Sequence, residues 1–484
     1  FYGILRGESW LVVGVDEAAD VSMAVSMDGN RCLRPQIFWE SEKGTWGYER
    51  SLRFLMGNTG GVTAACKAYK KYREPFGFGV SLREKAKRVP QLEQMAGAAN
   101  VWLWHDDYET LMYGTTTDPI DVENHAAIRQ IATEMKVGGM ENLLFGIFFQ
   151  QDMPVVRFLR EELGYLVTKY DNYQDVMPHD LQRVIPEHRV KSCDTLDRRS
   201  INWPDDILIL PNGSLVPCWA LYGTDGKKYS QNAMCDRQAE PYIRREIAEE
   251  VEKFGFNARF LDVMGIGLRE CYSKEHPMTR RECRTYKFRN LDALADLGQI
   301  GGTEEGIEPL LPAFHYSEGK MSVFPYRLQP SMCWRYKSKS FFDQPQNEAY
   351  LDRYMLNPRY RVPLWELVYH ECSVNYGYWG DAANLVPERM PERDLFHLLY
   401  GTPPIYSFET QDWPRLKERI LASYRRASLT ARKTCFEEML SFNYLTSDKQ
   451  VQQTQFSDGT VVTVNFSDQT FDGIEPKGFR IDND

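Results

Sequence analysis

Asp152-Met153-Pro154-Val155-Val156-Arg157-Phe158-Leu159-Arg160-Glu161-Glu162-Leu163-Gly164-Tyr165-Leu166-Val167-Thr168-Lys169-Tyr170-Asp171-Asn172 reads as one helix followed directly by one strand. Asp152 and Pro154 supply an N-cap and an early proline. Val155, Phe158, Leu159 and Leu163 recur at helical spacing, and Gly164 ends the helix. Tyr165 to Tyr170 then runs as an apolar strand that ends in Asp171-Asn172. The same order returns downstream. Pro241 begins a helix carried by Ile243, Ile247, Val251 and Phe254, Gly255 stops it, and Ala258 to Leu261 is a strand ending in Asp262. A shorter copy runs from Leu291 to Leu297, stops at Gly298, and leads through Gln299-Ile300 and a Gly301-Gly302-Thr303 turn to Glu304-Glu305. Further strands are expected at Val101 to Trp104, ending in His105-Asp106-Asp107, and at Leu143 to Phe149, Leu364 to Tyr369 and Pro404 to Phe408. Helix then strand, repeated, means parallel strands joined by crossover helices. This many repeats favours an α/β fold with a closed (β/α)₈ barrel over an open doubly wound sheet. Gly265-Ile266-Gly267 lacks its third glycine and no GxxxxGK[ST] occurs, so a nucleotide fold is set aside.

Antiparallel segments flank the barrel. Ser9 to Val15, Val21 to Met27, Gln36 to Glu40 and Ser51 to Met56 are short β-branched or aromatic runs, read as the tail of a β-sandwich over residues 1–58. Helix is expected from Val62 to Tyr72, at the start of a barrel domain spanning 59–440. Residues 193–238 interrupt that domain with a hairpin-like stretch, Ile207 to Leu210 then Pro211-Asn212-Gly213 then Ser214 to Val216. Helical content rises again around Arg415 to Arg426. Val451 to Phe456, Asp458-Gly459 and Val461 to Phe466 form a hairpin around a tight Asp-Gly turn, within a small antiparallel domain over 441–484.

Lys plus Arg number 58 against 68 Asp plus Glu in 484 residues, a net charge of -10. A phosphate-backbone binder needs a basic face to release counterions, so a nucleic-acid partner is not expected. The most apolar stretch, Leu143 to Phe149, falls far short of the roughly 20 residues of a spanning helix, so no membrane partner is expected either. The chain opens Phe1-Tyr2-Gly3-Ile4 without the charged-then-apolar pattern of a signal peptide, and a cytoplasmic location is the expectation, with a secreted form left open. Ten cysteines without CxxC spacing argue against zinc ribbons and lean toward a reducing compartment. Eight histidines without HxH or HExxH spacing give no zinc site. No cofactor is expected beyond a structural calcium on loop carboxylates.

In a barrel of this kind the chemistry sits where the strands end and the loops converge. Asp171, Asp262 and Glu304 each occupy that position. Carboxyl groups facing one cavity are what glycosidic cleavage needs, one protonated to serve the leaving oxygen and another ionised to attack or support the oxocarbenium-like carbon. An Asp after a strand is also a common N-cap or turn former, and for Asp171 and Asp262 taken singly the two readings compete. Of the adjacent Glu304 and Glu305, one is the candidate and the other a solvated neighbour. His105 and Asp106 share the strand-end placement and are candidates for sugar hydroxyls, against a plain hydrogen-bonded turn. His370 is a candidate pocket residue, against a satisfied structural histidine. Trp379, with Tyr376 and Tyr378, makes an aromatic loop suited to stacking on a sugar face, against packing on its own domain.

Four further stretches carry a resemblance. Val362-Pro363-Leu364-Trp365-Glu366-Leu367-Val368-Tyr369-His370, Trp379-Gly380-Asp381, Leu399-Tyr400-Gly401-Thr402-Pro403-Pro404, and Val451-Gln452-Gln453-Thr454-Gln455-Phe456 with Val464-Asn465-Phe466 together resemble glycoside hydrolases of family 129 and their relatives of family 101. The likeness runs from about residue 60 to the end and is strongest from 240 onward. It implies a retaining α-N-acetylgalactosaminidase acting on mucin-type glycans or glycopeptides. It also implies Asp262 as nucleophile, Glu304 as acid/base with Glu305 as the alternative register, and Asp171 with Lys169 holding sugar hydroxyls. Lys169-Tyr170-Asp171-Asn172 is also similar to the nucleophile motif of the α-galactosidase clan, which keeps Asp171 open as nucleophile. An α-galactosidase-like enzyme and a non-catalytic carbohydrate-binding protein on the same barrel stand as alternatives.

Overall fold

Eight parallel strands carry the centre of the molecule: β1 (Ala99–Trp104), β2 (Leu143–Ile147), β3 (Leu166–Asp171), β4 (Ala258–Leu261), β5 (Ile300–Glu304), β6 (Tyr316–Glu318), β7 (Val374–Tyr376) and β8 (Ile405–Glu409). This is a computed structural model, and it describes residues 1–29, 31–104, 125–147, 155–186, 190, 196–322, 349 and 351–483, Asp197 by its backbone alone. The strand order is β7-β6-β5-β4-β3-β2-β1-β8, so β1 to β7 each lie beside their neighbours in sequence and β8 returns to β1. Among the described residues no ladder joins β7 to β8. There Gly377 packs on β8 instead, where a Cβ would lie 3.2 Å from Ile405 Cγ2. The sheet is thus a nearly closed barrel, the architecture that repeated helix-strand units imply.

The helices follow from sequence spacing, with instructive shifts at their ends. Around the barrel lie α1 (Gly61–Arg73), α2 (His125–Val137), α3 (Asp236–Phe254), α4 (Arg280–Asp296), α5 (Leu364–Tyr369), α6 (Met390–Tyr400) and α7 (Trp413–Ser423). Helix α3 starts at Asp236, ahead of Pro241, which lies inside it. Helix α4 starts well before Leu291, at a capping box in which Thr279 and Glu282 satisfy each other's backbone N–H. Leu364 to Tyr369, expected as a strand, is helix α5. A six-residue apolar run fits either element, and the Leu367 N–H donates to the Pro363 carbonyl at 2.8 Å. The strand of that unit is β7, which like β6 has three residues, too few to show a period. The helix start at Asp152 to Pro154, the strand end at Phe148-Phe149 and the stretch His105-Asp106-Asp107 lie outside the described residues.

Alternation along the strands sorts side chains into two layers. Trp102, Tyr170, Phe260, Tyr316, Tyr376 and Ile405 belong to the inner cluster, while Val101, Phe145 and Val167 pack outward on Ile128 and Met135 of α2 and Ile420 of α7. Gly301 and Gly302 lie within β5 and not in a turn. A Cβ on Gly302 would sit 2.0 Å from Tyr316 Cζ, so a side chain there and the Tyr316 ring exclude each other. Gly302→Ala is therefore expected to overpack the barrel and lower stability by about 1–3 kcal/mol or more, read as a drop in the urea midpoint at unchanged slope.

Flanking sheets are antiparallel. Before the barrel, Tyr2–Arg6, Ser9–Val15 and Leu52–Gly57 form one sheet and Val21–Met27 pairs with Leu33–Trp39. After it, Met439–Tyr444, Val451–Phe456, Thr460–Asn465 and Gly478–Asn483 form a four-stranded sheet that packs on α6 through Phe396 and Phe466, ring centroids 4.7 Å apart. The stretch that interrupts the barrel forms a hairpin of Pro217–Tyr222 and Lys228–Ala233, extended by Asp175–Val176. Ile209 bridges Leu215 beside it. No helix among the described residues is long and apolar enough to cross a membrane.

Candidate active site

Leu261 of β4 is level with Asp171 of β3 and Thr303 of β5, so the next residues, Asp262 and Glu304, stand side by side where two neighbouring strands end. The Asp262 N–H donates to the Asp171 carbonyl at 2.8 Å, which carries the β3–β4 ladder one residue further. Its Oδ2 accepts from the Tyr170 hydroxyl at 2.8 Å. Tyr170 belongs to the inner layer, its ring 5.6 Å from that of Trp379, so Asp262 stands over the barrel interior. Atoms surround the carboxyl closely, yet the residue keeps partial access to solvent, as the floor of a cleft does. Burial raises its pKa well above the carboxylate range, the Glu304 charge adds to the rise, and the Tyr170 hydrogen bond opposes it.

Glu304 ends β5 and is 6% exposed. It has the same parity as Gly302, whose missing side chain is replaced inside the barrel by the Tyr316 ring. Glu305 is one residue beyond, with its N–H donating to the Glu318 carbonyl at 2.7 Å. Both acids are followed by left-handed residues, Val263 at φ 50° and Glu305 at φ 54°. For a β-branched valine that conformation costs of order 1–3 kcal/mol. The strain is local to the turns that carry the two carboxyls out of their strands.

Glu318, at the end of β6 and paired in register with Glu304, was not singled out by the sequence. Its side chain is 0% exposed. Oε1 accepts from Asn100 Nδ2 at 2.7 Å and Trp102 Nε1 at 2.9 Å, and Oε2 accepts from Trp379 Nε1. Burial pushes its carboxyl up to about 8 against the pull of these three donors, and Glu304 adds to the rise. From the ordinary 4.5 up to about 8 the folded chain keeps a proton that the unfolded chain has released. This group's contribution to stability is therefore full below that window and falls as pH rises through it, by about 1.4 kcal/mol per pH unit. Thermal midpoints of wild type are expected to fall with pH across that window more steeply than those of Glu318→Gln.

Lys169 and Asp171 lie on the other face of β3, in a buried cluster behind the sheet. Lys169 Nζ is 2.7 Å from Asp171 Oδ1 and 3.2 Å from Glu250 Oε2 of α3. Arg259 Nη1 of β4 is 3.0 Å from Asp171 Oδ2 and 2.7 Å from Glu250 Oε2. Two cations and two carboxylates neutralise one another, so the expectation that Lys169 and Asp171 hold sugar hydroxyls gives way to a role in joining sheet to helix. Parity decides it: Tyr170 points in, so its two neighbours point out.

His370 also moves out of the pocket. It precedes β7, at the amino-terminal end of the barrel, with Nδ1 2.7 Å from the Glu437 carbonyl and its ring against Phe456 at 5.1 Å. Trp379 is near the site but 3% exposed, packed among Tyr170, Phe260, Trp102 and Trp104 beneath the acids and not standing as a free platform. His105 and Asp106 lie outside the described residues.

A model of the glycosyl hydrolases related to the GH101 family, GH129, matches residues 139–455. The chain belongs to glycoside hydrolase family 129. The matched span runs from before β2 into the C-terminal sheet and takes in Asp262, Glu304 and Glu318. As a family 129 member the protein is a glycosidase. No curated protein matches the sequence. Among solved structures, ligand-free α-N-acetylgalactosaminidase NagBb from Bifidobacterium bifidum is 19% identical with a TM-score of 0.71, over 99% of this chain and 74% of that one. The GalNAc complex of NagBb gives 19% and 0.70 over 99% and 73%. At that identity the likeness bears on the fold, and it agrees with the barrel and flanking sheets described above.

Proposed function

We propose that this family 129 enzyme is a retaining α-N-acetylgalactosaminidase, with Asp262 as nucleophile and Glu304 as acid/base. The observation that carries the reading is the placement of the two acids at level positions on neighbouring strands. Such strands lie about 4.7–4.9 Å apart. Retaining glycosidases hold their carboxyls about 5–5.5 Å apart, whereas inverting ones leave about 6.5–9.5 Å for a water. Asp262 attacks the anomeric carbon as Glu304 gives its proton to the departing oxygen. A water deprotonated by Glu304 then opens the glycosyl-enzyme and releases the sugar with its starting configuration. Tyr170 donates to the attacking carboxylate and orients it. The two-carboxylate chemistry needs no cofactor.

The likeness to NagBb supports N-acetylgalactosamine as the sugar, α-linked in mucin-type glycans or glycopeptides. The test is hydrolysis of 4-nitrophenyl α-GalNAc, α-Gal and the core disaccharide glycoside, with NMR of the first-formed anomer. Release of α-GalNAc from the monosaccharide glycoside is expected. A β-anomer would overturn retention, and cleavage of α-Gal alone would replace the sugar.

A further inference from the structure

Away from the carboxyl pair, three side chains of metal-ligating type from two loops converge in the interior. Cys235 is the N-cap of α3, Cys271 lies in the loop that follows Asp262, and His276 comes later in that loop. Their exposures are 0%, 0% and 2%. The two sulfurs and one ring nitrogen lie within 4.8 Å of one another, with Cys271 Sγ 3.4 Å from His276 Nδ1. His276 Nε2 is 2.7 Å from the Asp205 carbonyl oxygen. A carbonyl only accepts, so Nε2 carries a ring proton, and Nδ1 is the nitrogen that faces the two sulfurs. A histidine whose far nitrogen is anchored on a carbonyl while its near nitrogen faces soft donors is oriented as a metal ligand is.

We propose that Cys235, Cys271 and His276 form a structural site for a thiophilic divalent cation of the zinc class. Tetrahedral zinc with bonds of about 2.3 Å to sulfur and about 2.0–2.1 Å to nitrogen sets those atoms roughly 3.5 Å apart; Cys271 Sγ and His276 Nδ1 are at 3.4 Å, with Cys235 Sγ within 4.8 Å of both. Thiolate and imidazole donors select against calcium and magnesium, which take oxygen. On binding, both thiols lose their protons to solvent and become the two thiolate ligands, with a water completing four-coordination.

The ligands come from segments that also meet through backbone hydrogen bonds and through an apolar cluster of Leu208, Ala233, Met278 and Cys283. The Cys235 N–H donates to the Asp206 carbonyl at 2.8 Å, the Tyr272 N–H to the Ile209 carbonyl at 2.8 Å, and Cys271 and Met278 bridge each other. A cation here would clamp the loop that begins at Asp262 to the turn before α3 and to the interrupting hairpin. Cys271 and His276 are five residues apart in one loop and Cys235 is far from both in sequence, so no CxxC or HxH spacing marks the cluster.

The test uses the full chain and does not depend on activity, so its failure leaves the proposed reaction untouched. Protein incubated with zinc chloride and desalted is expected to hold one zinc per chain by mass spectrometry of the metal. Cobalt(II) in its place is expected to show thiolate-to-metal charge-transfer absorption. Cys235→Ser and Cys271→Ser should each reduce retained zinc to near zero, whereas Cys283→Ser, outside the cluster, should keep it. Chelation should lower the thermal midpoint and added zinc should restore it. Where a variant fails to fold, cobalt reconstitution of the unmodified chain decides alone. The proposal is overturned if the unmodified chain retains no zinc and gives no cobalt–thiolate band, whether its thiols then titrate freely or two are missing as a disulfide.

Discussion

Asp262→Ala is expected to lower kcat/KM for an aryl α-GalNAc by at least about a thousandfold, the scale on which removal of a covalent nucleophile acts, while the fold persists. The folded chain holds this carboxyl at a raised pKa because burial and Glu304 oppose its charge. Between the ordinary and the raised pKa, the folded state binds a proton that the unfolded state has released, so the group weakens the fold as pH rises. Removing it is expected to leave the thermal midpoint level or higher at neutral pH. Azide added to the variant should enter the vacated space, bond to the anomeric carbon as the aryloxide leaves, and give the β-glycosyl azide. The same raised pKa places the acid limb of the wild-type kcat/KM profile above the ordinary carboxylate range. A nucleophile must be ionised, and turnover is lost as pH falls through its pKa. Undiminished turnover in Asp262→Ala would remove Asp262 from the role. Asp171→Ala is the control: it strips one acid from the cluster with Lys169, Arg259 and Glu250, and should lower stability with no azide rescue.

The contrast between those neighbouring acids marks how far the sequence could be read. Helix, glycine and strand recur in 155–171 and 236–262, and each repeat places an acid at a strand end, so the barrel and the positions of Asp171, Asp262 and Glu304 were legible. Which face a side chain takes was not. Inner and outer layers of this barrel are both buried, and β3 and β4 carry Lys169, Asp171 and Arg259 among their apolar residues, so polarity along the strands does not tell one face from the other. Asp171 therefore looked equivalent to Asp262 until the backbone showed Tyr170 pointing inward. Glu318 was invisible for another reason. A three-residue strand has no period, and the donors that define the site come from two distant segments, Asn100 and Trp102 of β1 and Trp379 after β7. At Leu364 to Tyr369, apolar residues after a proline fit a strand and a helix equally well, and the chain takes the helix.

Glu304→Gln is expected to separate substrates by their leaving groups. A glycopeptide releases a strongly basic alkoxide that cannot depart without a proton, and loss of the general acid should slow its cleavage by about 10²–10⁴-fold. 4-Nitrophenolate departs with little help, so formation of the glycosyl-enzyme from the aryl substrate should be far less affected. Its hydrolysis still lacks a general base. The intermediate then accumulates, with a burst of nitrophenolate followed by slow turnover and a lowered KM. Azide now attacks the accumulated glycosyl-enzyme from the side that water would use and yields the α-glycosyl azide, the opposite product to that from Asp262→Ala. Stereochemistry thus tells the two carboxyls apart without a structure of either complex. Glu305→Gln runs in parallel: Glu304 shares the inward parity of Gly302 while Glu305 has already turned at φ 54°, so the Glu305 variant should show neither the leaving-group split nor the rescue. A split at Glu305 instead would shift the acid/base by one residue and uncouple it from the level pairing with Asp262 on which retention is argued.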